Sequence, residues 1–289
     1  MMSWTPDSIP DLTGRTAIVT GAGSGIGLPT ALELARHGAR VVVATRSADK
    51  GGAAVAEILR AVPGARVSYA ALDLADLASV RRFAAGVDAV DLLINNAGVA
   101  LVRRRETKDG FEAQFGTNHL GHFALTGLLL PLLLSSPGAR VVTVSSDAHA
   151  MGRIDFGDLG MERGYGPMRA YGRSKLANLL FTLELQRRAE RAGVGLTSVA
   201  THPGMTATNI VKLAPLQPLL GLFMKPATAG ALPSLYAATS PAVRGGEFVG
   251  PGLKPLTPSE TARSEEIARR LWDVSTELTG VRFEEFSSS

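Results

Sequence analysis

Short runs of β-branched residues, apolar at consecutive positions, alternate along the chain with longer stretches of helical period. Arg15–Thr20 (RTAIVT) reads as a strand and Gly25–His37 as a helix. Arg40–Thr45 (RVVVAT) is a second strand, Ala48–Ala61 a second helix, and Arg66–Ala71 a third strand. A fourth strand, short and apolar, follows at Asp91–Ile94. The pattern then predicts a long helix from Lys108 to about Leu134, a fifth strand over Ala139–Val144 and a second long helix over Arg169–Ala192. A sixth strand over Gly195–Ala200, a short seventh over Glu247–Val249 and a final helix over Ser259–Leu278 complete it. Strands that are apolar throughout are buried on both faces. Their alternation with helices implies a parallel sheet covered on both sides. The expected class is α/β: one doubly wound domain over 1–289, with a seven-stranded parallel sheet and helices on both faces.

Composition narrows the classes. The chain has 289 residues, 45% apolar and 19% charged, as in an ordinary soluble globular protein able to bury a large core. It has no cysteine, which excludes disulfides, thiolate zinc sites and cysteine nucleophiles. That fits a reducing compartment, and the cytoplasm is the expected location. The net charge is +4, with Lys and Arg spread along the chain. No nucleic-acid-binding motif accompanies it, and the basic balance suits an anionic cofactor instead. Met1–Leu12 lacks the basic and apolar regions of a secretory signal. The most apolar stretch, Phe123–Leu134, contains Gly127 and Pro131 and falls short of the roughly 20 residues a membrane span needs. It reads as a buried helix.

The first strand runs into Thr20-Gly21-Ala22-Gly23-Ser24-Gly25-Ile26-Gly27, which opens the first helix. Glycines there let the backbone turn tightly and approach a pyrophosphate, and the helix N-terminus offers that anion free N–H groups and partial positive charge. A plain βα turn is the simpler reading. The flanking strand and helix favour the dinucleotide site of a Rossmann fold. An NAD-binding site usually carries an Asp or Glu at the end of the second strand for the ribose 2′-hydroxyl. Here the strand ends Val43-Ala44-Thr45-Arg46-Ser47: the acid is absent and a guanidinium follows. A guanidinium matches a 2′-phosphate, so NADP(H) is preferred, with NAD(H) as the second choice. The competing reading of Arg46 is a solvated surface charge.

Tyr171-Gly172-Arg173-Ser174-Lys175 lies on the second long helix. Residues four apart share a helix face. A cation beside a phenol, whose free pKa is about 10, favours phenolate and brings the group towards acid/base range. By spacing alone this is a helix-surface pair. Its company is more informative: Ser145-Ser146 ends a buried strand at the same sheet edge as the glycine loop, where a hydroxyl can donate to a substrate oxygen. Asn95-Asn96-Ala97-Gly98 ends the fourth strand at that edge, and Asn118 sits inside a helix, an unfavourable place for asparagine.

Together these residues resemble the short-chain dehydrogenase/reductase family: Thr20–Gly27, Asn95–Gly98, Asn118, Ser146, Tyr171 with Lys175, then Pro203-Gly204. Asp109-Gly110-Phe111-Glu112, the run Phe115–Phe123 (FGTNHLGHF) and Ser174-Lys175-Leu176-Ala177-Asn178 are similar to its retinol-dehydrogenase-like branch, which carries a similarly long segment between Ser146 and Tyr171. The resemblance implies interconversion of an alcohol and an aldehyde or ketone. Tyr171 would be the acid/base, and Lys175 would lower its pKa and bond the nicotinamide ribose. Ser146 would hold the substrate oxygen, and Asn118 would order a water linking Lys175 to solvent. On the cofactor side it implies Gly21, Ser24, Gly25, Ile26 and Gly27, then Asn95, Ala97 and Gly98. Asp73 and Leu74 would contact the adenine. Thr206 and Thr208, after Pro203 and Gly204, would hold the carboxamide. The glycine loop has Gly23-Ser24 where many relatives carry Asn or a basic residue, so NADP preference rests on Arg46 with Ser47. The resemblance further implies a core over about 14–205, a mobile lid over about 206–230, and a homodimer or homotetramer formed through the two long helices. The lid's Leu, Met, Phe and Pro content over Met205–Lys225 favours a lipophilic substrate. An oligomer or core contact is the competing reading. A double-bond reductase, an epimerase and a non-catalytic dinucleotide-binding regulator share the fold and remain alternatives.

Other features read as structural. His119 and His122 lie three apart on a helix without the further ligands zinc needs, so packing is expected and no metal. His149 either lines the cleft or is a solvated loop residue. Arg103-Arg104-Arg105 is a solvated charge run near the cleft mouth.

Overall fold

The computed structural model describes residues 4–204 and 226–286. Its core is a seven-stranded parallel sheet in the order β3-β2-β1-β4-β5-β6-β7. The strands are β1 Thr16–Thr20, β2 Arg40–Thr45, β3 Val67–Ala71, β4 Leu92–Asn95, β5 Arg140–Val144, β6 Thr197–Thr201 and β7 Phe248–Val249. The strand order reverses between β1 and β4, and beyond the carboxyl ends at such a point open α/β sheets hold their ligands. Helices α1 (Gly27–Arg36), α2 (Ala48–Ala61) and α6 (Ala227–Thr239) pack on one face, through Leu34, Ile58 and Leu235. On the other face lie α3 (Leu77–Ala85) and two long helices. The first, α4, joins a turn Ala113–Phe115, a π turn Gly116–Leu120 and the run Gly121–Ser135; the second is α5, Pro167–Arg191. Short α7 (Glu260–Arg263) and α8 (Glu265–Thr279) close the chain against α5.

Local chemistry explains where these elements depart from the sequence pattern. The pattern missed α3, although Asp76 marks its start by accepting from the Ala78 and Ser79 N–H groups, and Val80 and Phe83 bury one turn apart. Helix α6 was missed because small residues and Pro233 mask its period. Helix α4 begins at Ala113 rather than Lys108, because the Glu112 carboxylate caps it by accepting from Gln114 and Phe115. The final helix is two helices, since Ser264 turns extended and caps α8 through the Ile267 N–H.

The C-terminal segment packs on the two long helices. Trp272 of α8 stacks on Phe181 of α5 at 5.9 Å, and Phe283 lies 4.4 Å from Trp272 and 5.0 Å from Phe123 of α4. A methyl added to Gly127 of α4 would come within 2.6 Å of Val281. Residues 272–286 therefore form part of the core between α4, α5 and α8.

Phe283 is 4% exposed and holds this cap in place. Phe283→Ala is expected to lose roughly 3–5 kcal/mol of stability by urea unfolding with an unchanged slope. A loss below about 1 kcal/mol would mean that the C-terminal segment is not part of the core.

Candidate active site

The carboxyl edge of the sheet is assembled from close backbone fits. Gly21 donates its N–H to the Ala44 carbonyl at 2.7 Å and takes φ +70°, a conformation that favours glycine. A Cβ on Gly21 would lie 2.9 Å from the Ala97 backbone, and one on Gly27 would lie 2.7 Å from Asn96 Nδ2. The loop Gly21–Gly27, with Ser24, Gly25 and buried Ile26, is thus seated on the exit of β4 with the N-terminus of α1 behind it. This cradle fits a pyrophosphate.

Beyond β2, Arg46 is exposed and makes no ion pair among the described residues. Ser47 caps α2, its hydroxyl accepting from the Lys50 N–H at 3.3 Å. A Cβ on Gly23 would be 3.1 Å from Lys50 Cβ, so the stem of Lys50 rises directly beside the glycine loop. The sequence reading missed Lys50. Its spacing of four from Arg46, across a helix start, was the available signal.

Other expected cofactor residues sort differently. Asp73 accepts from the Ala75 N–H at 3.0 Å, and Leu74 is buried against Gly121. Both follow the end of β3. Ala97 donates its N–H to Thr20 Oγ at 2.9 Å, and Gly98 lies between Asn118 and Lys175. Asn95 is a correction: its amide points into the core and donates to Thr126 Oγ at 3.1 Å, so its side chain does not line the crevice. Pro203 and Gly204 follow β6, with Gly204 at φ +76° against Pro251. Thr206, Thr208 and the lid segment Met205–Lys225 lie outside the described residues.

Ser146, Tyr171 and Lys175 converge from the end of β5 and from α5. Lys175 is buried and donates from Nζ to the Val144 carbonyl at 2.9 Å, with its ammonium 5.6 Å from the Tyr171 ring centre. Burial holds Lys175 down to about 8. Burial also raises the Tyr171 phenol, while a hydrogen bond with the Ser146 side chain opposes the rise. Sequence spacing led to the opposite expectation, a phenol lowered by Lys175. The ammonium instead donates to Val144, and desolvation is the larger influence on the phenol.

Ser146 caps the 3-10 turn Asp147–Met151, whereas Ser145 serves the scaffold by donating to the Lys175 carbonyl at 2.7 Å. The Asn118 side chain is fully engaged. Its Oδ1 accepts from the Val99 N–H at 2.8 Å, and its Nδ2 donates to the Val99 carbonyl and to Ser174 Oγ, each at 2.9 Å. Ser174 lies between Tyr171 and Lys175, so Asn118 grips the helix that carries both.

Residues 15–217 match the family model described as short chain dehydrogenase. The chain belongs to the short-chain dehydrogenase family. Retinol dehydrogenase 12 of Mus musculus is 44% identical over 283 residues, covering 94% of this chain and 89% of its own. Polyprenol dehydrogenase of Mus musculus is 43% identical over 291 residues, covering 95% and 87%. Among solved structures, an uncharacterised protein of Mycobacterium paratuberculosis superposes with a TM-score of 0.84 at 47% identity, covering 98% of this chain and 99% of its own. A gluconate 5-dehydrogenase from Beutenbergia cavernae with NADP bound at low occupancy superposes at 0.66 with 27% identity, covering 83% and 96%. This retinol-dehydrogenase-like short-chain dehydrogenase is therefore an oxidoreductase of alcohols and carbonyls with a nicotinamide dinucleotide cofactor.

His119, His122 and His149 of this dehydrogenase are packed inside the fold. His149 is neither a cleft nor a solvated residue. It is buried edge-on against Phe248, with Nδ1 2.8 Å from the Ser146 carbonyl and Nε2 accepting from the Ser259 N–H at 3.1 Å. His119 sits 2.8 Å from Ser275 Oγ amid Phe115, Phe123 and Phe181. His122 lies between Thr20 and Asn118. Among the described residues no group of acids and histidines could hold a metal ion, and no helix is long and apolar enough to cross a membrane.

Burial holds His119 down to about 3 and His122 to about 4, from an ordinary 6.5. Between those values the unfolded chain binds protons that the folded chain does not. Stability is then expected to rise with pH through this window, and to be lost as pH falls from 6.5 towards 4. Urea midpoints measured across the window should fall steeply for the native chain and less so for His119→Leu. Equal slopes would exclude His119 as a source of the acid sensitivity.

Proposed function

We propose that the protein is an NADP(H)-dependent short-chain dehydrogenase that interconverts an alcohol and a carbonyl on a lipophilic substrate. The observation that carries this reading is the convergence of a protonated Tyr171, the Ser146 hydroxyl and buried Lys175 beyond the switch point of the sheet. A bound nicotinamide supplies or accepts the hydride. In reduction Tyr171 gives its proton to the carbonyl oxygen, and Ser146 donates a hydrogen bond to that oxygen as charge develops on it. In oxidation the same phenol, deprotonated, takes the hydroxyl proton. Lys175 supplies positive charge on the phenol's own helix, stabilising phenolate when it forms.

Arg46, Lys50 and the N-terminus of α2 form a cationic corner beside the glycine loop with no carboxylate at the end of β2, which favours a 2′-phosphate. The lipophilic substrate class is supported by the names of the relatives, since retinol and polyprenol are both apolar alcohols. It is also supported by the apolar sequence of Met205–Lys225.

Tyr171→Phe is expected to abolish NADPH-dependent reduction of apolar aldehydes and ketones while leaving NADPH affinity within about twofold. Retained turnover would remove Tyr171 from the mechanism. Arg46→Ala is expected to weaken NADPH binding about tenfold or more and to leave NADH binding unchanged, as read by fluorescence titration. NADPH affinity that ignores the substitution would overturn the phosphate assignment.

A further inference from the structure

One buried side chain joins the two halves of the site. Thr20, the last residue of β1, accepts from the Asn96 and Ala97 N–H groups, each at 2.9 Å. Its oxygen therefore fixes the exit of β4 on which Gly21 and Gly27 rest. Two acceptor positions are used, so its hydroxyl hydrogen is the part left to donate. His122 Nε2 lies 2.9 Å from that oxygen, nearer than the Ile94 carbonyl at 3.2 Å. The other ring nitrogen, Nδ1, lies 2.8 Å from the Asn118 carbonyl, which can only accept. The tautomer follows: Nδ1 carries the hydrogen and donates to Asn118, and Nε2 accepts from Thr20. His122 is 1% exposed, and burial keeps it neutral.

The Asn118 carbonyl belongs to the π turn Gly116–Leu120, and the Asn118 side chain grips Ser174 on the helix of Tyr171 and Lys175. The glycine-loop seat, Thr20, His122, Asn118 and the acid–base helix thus form one unbroken line of hydrogen bonds. We propose that His122 is a positioning residue that couples the cofactor seat to the acid–base helix, so that a dinucleotide bound on the glycine loop tightens the setting of Tyr171 and Lys175. This rests on the oxidoreductase reading above for its catalytic meaning, but the coupling itself is a property of the chain.

Three substitutions separate coupling from simple packing. Asn places an amide nitrogen at the depth of Nδ1 and keeps the bond to Asn118. Gln reaches the depth of Nε2 and keeps the bond to Thr20. Leu fills the space and keeps neither. The primary measurement is amide hydrogen exchange with and without NADPH. In the native chain, cofactor should slow exchange in 16–27, in 113–121 and in 170–178. In His122→Leu the protection of 113–121 should be lost, whereas 170–178 keeps the part that a cofactor touching Lys175 confers directly. In steady-state reduction His122→Leu should lower kcat about tenfold and displace the pH profile of kcat. His122→Asn should restore the pH profile without restoring cofactor affinity, and His122→Gln should restore affinity without the profile. Protection that reaches 113–121 undiminished in His122→Leu would overturn the proposal. So would one shared kcat loss in all three variants with an unmoved pH profile, because packing alone predicts that. If the native chain transmits protection but reduces no carbonyl, the oxidoreductase reading fails and the coupling stands.

Discussion

The constraint on which the structure depends is the contact between two strand ends. β1 and β4 are neighbours at the point where the strand order reverses, and their exits must pass one another at van der Waals distance. Gly21 and Gly27 on one side, and Asn96 and Ala97 on the other, leave no room for a Cβ between them. The Thr20 hydroxyl and carbonyl bind the two exits, accepting from the Asn96 backbone at 2.9 Å and from its amide at 2.7 Å. The crevice owes its shape to this fit rather than to its lining. The same fit explains why a cofactor cradle, a substrate oxygen site and an acid–base helix end up beside each other.

A second device holds the long segment between Ser146 and Tyr171. Glu112, with no exposed side chain, accepts from the Gln114 and Phe115 N–H groups and pairs with Arg173 at 3.1 Å. Arg173 also donates to the Leu159 carbonyl at 2.6 Å and stacks over Phe115. Tyr165 donates to the Val102 carbonyl at 2.8 Å and accepts from Gln114. A buried ion pair gains little stability over apolar packing, but removing one partner strands a charge and is costly. Here nearly every polar atom of the pair has a defined use, so its value is positional. It ties the loop after β4, the start of α4 and the segment before Tyr171 to the face of α5 opposite the phenol.

Much of this was legible in the sequence, and the limits are physical. Apolar runs exposed the buried strands, because both faces of a parallel sheet require such residues. Pattern failed where a cap rather than a period defines the element, as at Asp76 for α3 and Ser264 for α8. The gathering of the glycine loop, Ser146, Tyr171 and Lys175 at one edge of the sheet was legible because the order of strands and helices dictates it. Side-chain direction was not. Asn95 and Asn96 look equivalent on paper, yet one amide enters the core and the other braces Thr20. His149 looked like a loop residue because its partner, Ser259, is far along the chain. Lys50 escaped notice because a first-turn lysine ordinarily signals only a solvated helix.

The protonation pattern of the site follows from where desolvation falls. Helical spacing alone brings Tyr171 and Lys175 together, and in water their mutual influence would lower the phenol. The fold buries both, and burial opposes charge on each: the phenol rises and the ammonium falls to about 8. Both groups therefore answer to the same cause, and the hydrogen bond with Ser146 is the one local interaction that works against it at the phenol. The two strands and the helix that bury the pair thus set its protonation more than the spacing of four along the helix does.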